Sequence, residues 1–281
     1  MTAAGFFRIT RPTNAVVAGI AAVVAYLVAT SGSLVPGVIL LLAAVTLITA
    51  AGNVINDYCD AEIDAVNRSD RPIPSGQVSL TAAFWYAVLL FLAGILISIF
   101  TTPICMGFAI INTLLLVLYA IRLKGIPLAG NIAVAYLTGS MFLFGGAFAG
   151  YAGMVYLIPI AVITFLATMA RELLKDAEDV EGDAAGGAVT LPIRIGVRKT
   201  TYCAFGFVVL SAGASLVPFL YWGLPYLVLI AIVDSVLLLA AYRTLSCDTP
   251  ACIRNSGASA LLKYGMFGSL VVFTLSALYL S

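Results

Sequence analysis

Two acidic stretches of the sequence share one residue spacing and carry the side chains best suited to chemistry. They are Asn56-Asp57-x-x-Asp60-x-x-x-Asp64 and Lys175-Asp176-x-x-Asp179-x-x-x-Asp183, and the second lies 119 residues after the first. Residues four apart share one face of a helix, so each stretch predicts a ladder of oxygen ligands along a helix. The repeated spacing argues against the alternative that these acids are only solvated loop charges.

This set of oxygen ligands indicates a hard cation and a phosphorylated substrate. Clustered carboxylates repel one another unless a cation lies between them, and oxygen ligands favour ions such as Mg²⁺. Protein-bound Mg²⁺ commonly keeps phosphate oxygens among its ligands, so two facing clusters suit a diphosphate bridged by about two metal ions. The predicted cofactor is therefore Mg²⁺.

Basic side chains near the acidic stretches are candidates to bind the same diphosphate through charge-assisted hydrogen bonds. They are Arg68, Arg71, Arg122, Lys124 and Lys175. The tendency of basic residues to remain on the cytoplasmic side of a membrane also accounts for every one of them, so both explanations stay open. Asn14 and Arg11, at the start of the first predicted helix, are candidates to line the same cavity, and Arg11 could instead anchor the helix at the interface.

Composition places these residues in an integral membrane protein. Of 281 residues, 62% are hydrophobic and 10% are charged, and the mean hydropathy is +1.10, which excludes a soluble globular domain. A net charge of +1 gives no support for binding nucleic acid. The absence of histidine excludes histidine-based acid-base catalysis, haem ligation and histidine metal sites. The fold class that follows is an all-α polytopic membrane protein.

Apolar segments of about 20 residues, the length needed to cross a bilayer, predict nine transmembrane helices. Their approximate ranges are 13–31, 35–56, 80–100, 103–121, 129–148, 154–174, 199–220, 222–243 and 262–281. With a cytoplasmic N-terminus, all 14 Lys and Arg residues fall on the cytoplasmic side. We therefore expect a multi-pass protein of the cell membrane whose acidic loops face the cytoplasm.

The two acidic stretches also predict an internal duplication. Four predicted helices separate them, so both emerge on the same side of the membrane, as in a parallel repeat. The expected organisation is one transmembrane domain, 1–281, with four-helix halves at about 1–127 and 128–243 and a final helix at about 262–281.

Two other features carry simpler expectations. The five cysteines are odd in number and contain no CxxC pair, which predicts free thiols without a disulfide framework. Asp234 lies within a predicted span, where a functional acid and a hydrogen-bonded interior carboxyl are both consistent with the sequence. It is therefore not included among the candidate site residues.

Longer stretches around both motifs resemble a known family. NDYCDAEIDAVNRSDRPIPSG, from Asn56 to Gly76, and RELLKDAEDVEGDAAGGAVTLPIRIG, from Arg171 to Gly196, are similar to the two signatures of the UbiA-type intramembrane prenyltransferases. The resemblance implies Mg²⁺-dependent transfer of a prenyl group from a prenyl diphosphate to a hydrophobic acceptor in the membrane. It implies metal-binding roles for Asn56, Asp60, Asp64, Asp179 and Asp183, with the four aspartates also catalytic. Asn14, Asp57 and Asp176 join the basic residues above as diphosphate ligands.

The choice of acceptor depends on finer features of the same two stretches. The amino-acid sequences of both stretches most resemble the archaeal lipid branch of this family. Members of that branch transfer a geranylgeranyl group from geranylgeranyl diphosphate to geranylgeranylglyceryl phosphate in ether-lipid synthesis. Prenylation of an aromatic or tetrapyrrole acceptor is the alternative within the family. Secondary transport is the alternative outside it, since carriers also contain repeats, although their coupling acids usually lie near the midplane of the bilayer.

Overall fold

Every regular element of the computed structural model, which describes residues 1–280, is a helix. In chain order the helices are α1 (Ala3–Ile9), α2 (Pro12–Ala29), α3 (Val38–Cys59), α4 (Ala61–Asn67), α5 (Leu80–Ser98), α6 (Pro103–Ile121), α7 (Ala129–Phe148), α8 (Tyr151–Tyr156), α9 (Ile158–Glu178), α10 (Val180–Ala185), α11 (Leu191–Ile195), α12 (Val197–Ala214), α13 (Phe219–Tyr242), α14 (Pro250–Ser256) and α15 (Ala258–Tyr279). A short 3-10 turn covers Leu123–Gly125. The expected all-α class is confirmed.

The long helices match the predicted ranges, although not all of them are equally apolar. Seven helices are long and apolar enough to cross a membrane by length and composition: α2, α3, α5, α6, α7, α13 and α15. The other two long helices are α9, with 21 residues, and α12, with 18 residues. Charged side chains at the end of α9 and the start of α12 make these two less apolar. A multi-pass arrangement follows, and the count of nine spans stays a prediction.

Local sequence explains where several helices begin. Ser79 and Thr102 precede α5 and α6, and their hydroxyl oxygens accept hydrogen bonds from the backbone N–H groups of Ala82 and Cys105. Such caps satisfy donors that the first turn of a helix leaves free. Pro103 occupies the first position of α6, where the missing N–H of proline costs no helical hydrogen bond.

Close helix packing sets the framework around the acidic motifs. Helix α2 packs against α3 and α7, and α7 packs in turn against α9. At Gly145 of α7, a Cβ atom would lie 2.3 Å from the carbonyl oxygen of Ala22 on α2. Small residues permit such close approach between membrane helices. The ends of α3 and α9, which carry the two motifs, are thereby held on either side of α2 and α7.

The structure decides two expectations about side chains, one for the cysteines and one for Asp234. The prediction that all thiols are free is wrong, because Cys247 and Cys252 form a disulfide. The chain turns back between α13 and α14 and brings their Cα atoms to 5.5 Å, a proximity that their spacing in the sequence does not reveal. Asp234 is a hydrogen-bonded interior carboxyl, since the Ser215 hydroxyl donates to its Oδ2 atom over 2.5 Å.

Candidate active site

The two acidic motifs adopt the same local structure, and it is not the continuous helix that their spacing predicts. Helix α3 ends at Cys59 and α4 begins at Ala61, while α9 ends at Glu178 and α10 begins at Val180. The residue between the helices is an aspartate in each case, with φ and ψ of −92° and 3° at Asp60 and of −104° and 12° at Asp179. Each predicted ladder of ligands therefore bends at its middle aspartate.

In the first motif, basic side chains bind the two most buried carboxylates. The Arg11 guanidinium donates to Asp57 Oδ1 over 2.5 Å, and Arg71 Nη1 donates to the same oxygen over 3.2 Å. Arg71 also forms an ion pair with Asp64. Buried charges are tolerated only when they are paired, and both Asp57 and Asp64 are buried. These contacts explain how two neighbouring carboxylates remain close together.

The backbone at Arg11 is itself unusual. Arg11 has a φ of 48°, in the left-handed region that residues with a Cβ rarely adopt, and Pro12 follows it as the first residue of α2. Such a conformation persists only where its surroundings impose it. The ion pair with Asp57 links this turn to the end of α3.

Asp60 connects the first motif to the loop after α6. Its Oδ2 atom accepts a hydrogen bond from Asn56 Nδ2 over 3.0 Å, and its Oδ1 atom forms an ion pair with Lys124. Of the first motif, Asn56 and Asp60 therefore remain in contact, whereas Asp64 turns toward Arg71.

The carboxylates of the second motif are not neutralised in this way. Asp176 accepts a hydrogen bond from Asn131 Nδ2 over 2.8 Å, but within residues 1–280 neither Asp176, Asp179 nor Asp183 forms an ion pair. Burial raises the pKa of the Asp183 carboxyl above its usual value, and the nearby charge of Asp179 raises it further. An added cation would relieve both effects.

Seven of the predicted site residues line one polar cavity of about 400 Å³, and they are Asp60, Arg122, Lys124, Lys175, Asp176, Asp179 and Asp183. Of the rest, Asn56 touches Asp60, while Asp57, Asp64 and Arg71 form the ion-pair cluster described above. Arg68 is exposed and forms no ion pair within the described chain. Asn14 lines a different cavity.

Two apolar cavities share lining residues with the polar cavity. The first, of about 390 Å³, lies between α2, α7, α9 and α15, and we call it the α9/α15 cavity. The second, of about 220 Å³, lies between α2, α3, α6 and α7, and we call it the α3/α6 cavity. Val134 lines all three cavities. Tyr119 is shared by the polar and α3/α6 cavities, and Glu172 by the polar and α9/α15 cavities.

Sequence reasoning missed three of these residues: Asn131, Glu172 and Tyr119. Asn131 is the third residue of α7, and Asn14 is the third residue of α2. Comparing the first helices of the predicted halves would have found Asn131. Glu172 falls inside the second stretch and accepts a hydrogen bond from Arg171 Nη1 over 2.6 Å. No comparable signal marks Tyr119.

The donor set fits Mg²⁺ together with phosphate oxygens. The cavity presents carboxylate oxygens and no thiol, a chemistry that suits a hard cation. Within residues 1–280, no three acidic or cysteine side chains are grouped closely enough to hold a metal ion by themselves. Substrate phosphate oxygens would therefore have to complete the coordination, as is common for Mg²⁺ sites in proteins.

A helical membrane protein with an acidic cavity beside apolar cavities is the expected form of an enzyme that acts on phosphorylated lipids. Comparison with protein families identifies the class: the model of the UbiA prenyltransferase family matches residues 18–271. The chain belongs to this family. The resemblance inferred from the two acidic stretches is confirmed, and the protein is a multi-pass membrane prenyltransferase.

Individual relatives are also similar over nearly the whole chain. A digeranylgeranylglyceryl phosphate synthase of Methanoregula boonei is 62% identical over 276 residues, which cover 98% of this chain and 99% of the relative. A solved structure described as concerning digeranylgeranylglyceryl phosphate synthase superposes with a TM-score of 0.86 at 34% identity, covering 98% of both chains. A UbiA homologue of Archaeoglobus fulgidus bound to DMAPP and Mg²⁺ shares the fold, with a TM-score of 0.66, 16% identity, and coverage of 95% of this chain and 99% of that one.

Proposed function

We propose that this protein transfers a geranylgeranyl group from geranylgeranyl diphosphate to geranylgeranylglyceryl phosphate, in an Mg²⁺-dependent step of archaeal ether-lipid synthesis. The observation that carries the chemistry is the polar cavity, where unpaired second-motif carboxylates and basic side chains lie beside two apolar cavities. The named relative at 62% identity supports this acceptor over an aromatic or tetrapyrrole one. The cavity lies at the helix ends that carry the acidic motifs, which argues against a carrier with coupling acids at the bilayer midplane.

The chemical roles follow from the charges around the polar cavity. Asp60, Asp176, Asp179 and Asp183 supply carboxylate oxygens, and Lys124, Lys175 and Arg122 supply positive charge. Bound Mg²⁺ would supply charge stabilisation for the departing diphosphate. Lys124 is held by Asp60, so the ion pair orients its ammonium group at the edge of the cavity. These cations would offset the negative charge that develops on the diphosphate.

In the proposed reaction, the bond between the allylic carbon of the donor and the diphosphate oxygen breaks, and the diphosphate leaves with the electron pair. The glycerol hydroxyl oxygen of the acceptor then forms the new ether bond to that carbon, and its proton passes to the departing diphosphate or to a carboxylate of the acidic motifs. Breaking the donor bond leaves an allylic carbocation. The apolar cavities keep water away from this carbocation, because water would capture it and give an alcohol. The products are a doubly prenylated glyceryl phosphate and diphosphate.

We propose that the chain is one domain with nine transmembrane helices arranged as two four-helix halves and a final helix. The matched bends at Asp60 and Asp179 support the duplication, as do the asparagines at the third positions of α2 and α7. Gly76 and Gly196, which precede α5 and α12, both have positive φ, of 74° and 90°. In this arrangement the N-terminus and both acidic loops face the cytoplasm of a multi-pass cell-membrane protein.

The experiment that tests the proposed function uses the full chain in detergent with both substrates, with Mg²⁺ or with EDTA, and mass spectrometry of the products. We expect a doubly prenylated glyceryl phosphate that forms only with the metal. Prenylation of an aromatic acceptor at a higher rate than the glycerolipid would contradict the acceptor assignment. Product formation at an unchanged rate in EDTA would contradict the role assigned to Mg²⁺.

A further inference from the structure

The two apolar cavities differ in the charge of their walls. The α9/α15 cavity contains Arg171 and Lys263 in addition to Glu172, whereas no charged side chain of the described residues lines the α3/α6 cavity. Both cavities share lining residues with the polar cavity. A ligand whose only charged group lies in the polar cavity needs no further cation. A second ligand, whose own anionic group lies outside the polar cavity, would be better held in the α9/α15 cavity.

Two buried polar atoms of the α9/α15 cavity have no partner within the described chain. They are Arg171 Nε and Thr168 Oγ1. Thr168 is only 3% exposed, so water does not compensate readily for a missing hydrogen bond. Both atoms could donate to a phosphate oxygen. Arg171 is held in place by its hydrogen bond to Glu172.

Lys263 adds an available positive charge on the opposite helix. It is an exposed residue of α15, and it forms no ion pair or hydrogen bond with any residue from 1 to 280. Arg171 projects from α9, so the two cations reach the cavity from different helices. A phosphate bound between them would be fixed in position, and the chain attached to it would lie in the apolar part of the cavity.

We propose that Arg171, Lys263 and Thr168 bind the phosphate of the prenylglyceryl phosphate acceptor, and that the acceptor chain occupies the α9/α15 cavity while the donor chain occupies the α3/α6 cavity. This inference rests on the proposed function, because it assigns the binding site of that acceptor. The two cavities meet at Val134, so the acceptor hydroxyl and the reacting carbon of the donor would meet beside the polar cavity. Arg171 and Lys263 then determine the specificity for a phosphorylated acceptor.

The test measures binding and turnover separately in the full-length protein in detergent. Binding of geranylgeranylglyceryl phosphate and of geranylgeranylglycerol, which lacks the phosphate, is measured by titration calorimetry without donor. We expect the wild-type protein to prefer the phosphorylated ligand, and Lys263→Met to weaken its binding about tenfold without changing the binding of the alcohol. Arg171→Gln should reduce the preference for the phosphorylated ligand further than Lys263→Met does. Lys263→Arg should retain this preference.

A matched control comes from Lys199→Met, because Lys199 is also exposed and unpaired in the described structure but lines none of the three cavities. It should leave both affinities unchanged. In turnover assays, Lys263→Met should raise the KM for the acceptor and leave the KM for geranylgeranyl diphosphate near its wild-type value. An effect on both KM values would indicate that Lys263 acts on the diphosphate instead, which would overturn the proposal.

Other outcomes also decide the question. Equal wild-type affinity for the phosphate and the alcohol would overturn the inference even if the doubly prenylated product forms. Displacement of the acceptor by inorganic phosphate, or by vesicles of an anionic phospholipid, at the same concentration as unlabelled acceptor would also overturn it, by showing a general anion site. Absence of product from wild-type protein that still prefers the phosphorylated ligand would refute the proposed function alone.

Discussion

At the scale of single residues, the two acidic motifs balance their charges differently. Arginines bind Asp57 and Asp64 of the first motif, and Lys124 binds Asp60. Lys175 lies beside the aspartates of the second motif, but within residues 1–280 no lysine or arginine forms an ion pair with them, and burial raises the pKa of Asp183. The negative charge without an ion-pair partner therefore lies at the second motif. A divalent cation bound with its diphosphate would have a larger electrostatic effect there than at the first motif.

Asp183 should accordingly be needed for turnover but not for folding. Asp183→Asn is expected to lower the rate of product formation at least about 100-fold, because a charged group that stabilises the reacting diphosphate is lost. The unfolding temperature in detergent should be unchanged or slightly higher, since a repelling carboxylate is removed. Glu181→Gln in the same short helix is the control, as Glu181 is exposed and its one ion pair within residues 1–280 is with Arg254 at 3.6 Å. Near-normal turnover of Asp183→Asn would refute the assigned role.

Arg71 should matter for stability as well as for activity. Arg71→Met leaves the buried Asp64 carboxylate without its ion pair and is expected to cost about 3 kcal/mol of stability. Arg68→Met is the matched control, because Arg68 is exposed and unpaired in the described chain. Thermal shift measurements on both variants in detergent would show the difference. If both unfold like wild type and only Arg71→Met loses activity, Arg71 serves the diphosphate rather than the fold.

At the scale of elements, close contacts between helices hold the motifs in position. Gly19 of α2 lies against α3, where a Cβ atom would be 2.4 Å from Thr46 Oγ1, and Gly145 of α7 lies equally close to α2. These contacts join α2 to α3, which carries the first motif, and to α7, which packs against α9 and its second motif. The distance between the motifs therefore depends on residues that take no part in the chemistry.

A methyl group at the α2 to α7 contact should disturb the protein measurably. Gly145→Ala is expected to cost about 1–3 kcal/mol, because the rigid backbone of α2 blocks the added carbon and the helices must separate. Gly206→Ala in α12 has open space around the new carbon and should be neutral or slightly stabilising, since alanine favours helix. Thermal unfolding of both variants tests this expectation. Equal unfolding temperatures would show that α2 and α7 adjust without strain.

The sequence predicts these elements unevenly, for physical reasons. Long helices are predictable because crossing a membrane demands about 20 apolar residues. The bends at Asp60 and Asp179 are not, because spacing by four residues fits a continuous helix equally well. The ion pairs of Arg11 and Arg71 with Asp57 depend on which helices pack together. The disulfide between Cys247 and Cys252 depends on a chain reversal that no motif encodes.

At the scale of the whole molecule, charge asymmetry and helix count together imply one orientation. All 14 basic residues lie on one side if nine helices cross the membrane, and the polar cavity then opens on that side. Such an orientation would place the site where the charged head groups of both substrates meet a basic surface. The lipid chains would enter from the bilayer between the helices.

Labelling of introduced cysteines in intact cells tests this topology up to and including the less apolar helix α9. Ser33→Cys, in the exposed loop between α2 and α3, should react with a membrane-impermeant maleimide added outside, because α2 starts at the cytoplasmic face. Ala185→Cys, at the exposed end of α10, should react only after permeabilisation, because α9 returns the chain to the cytoplasm. The unmodified protein gives the background from its own thiols. Labelling of Ala185→Cys from outside would mean that α9 does not cross, which would contradict the nine-span arrangement and separate the two acidic motifs across the membrane.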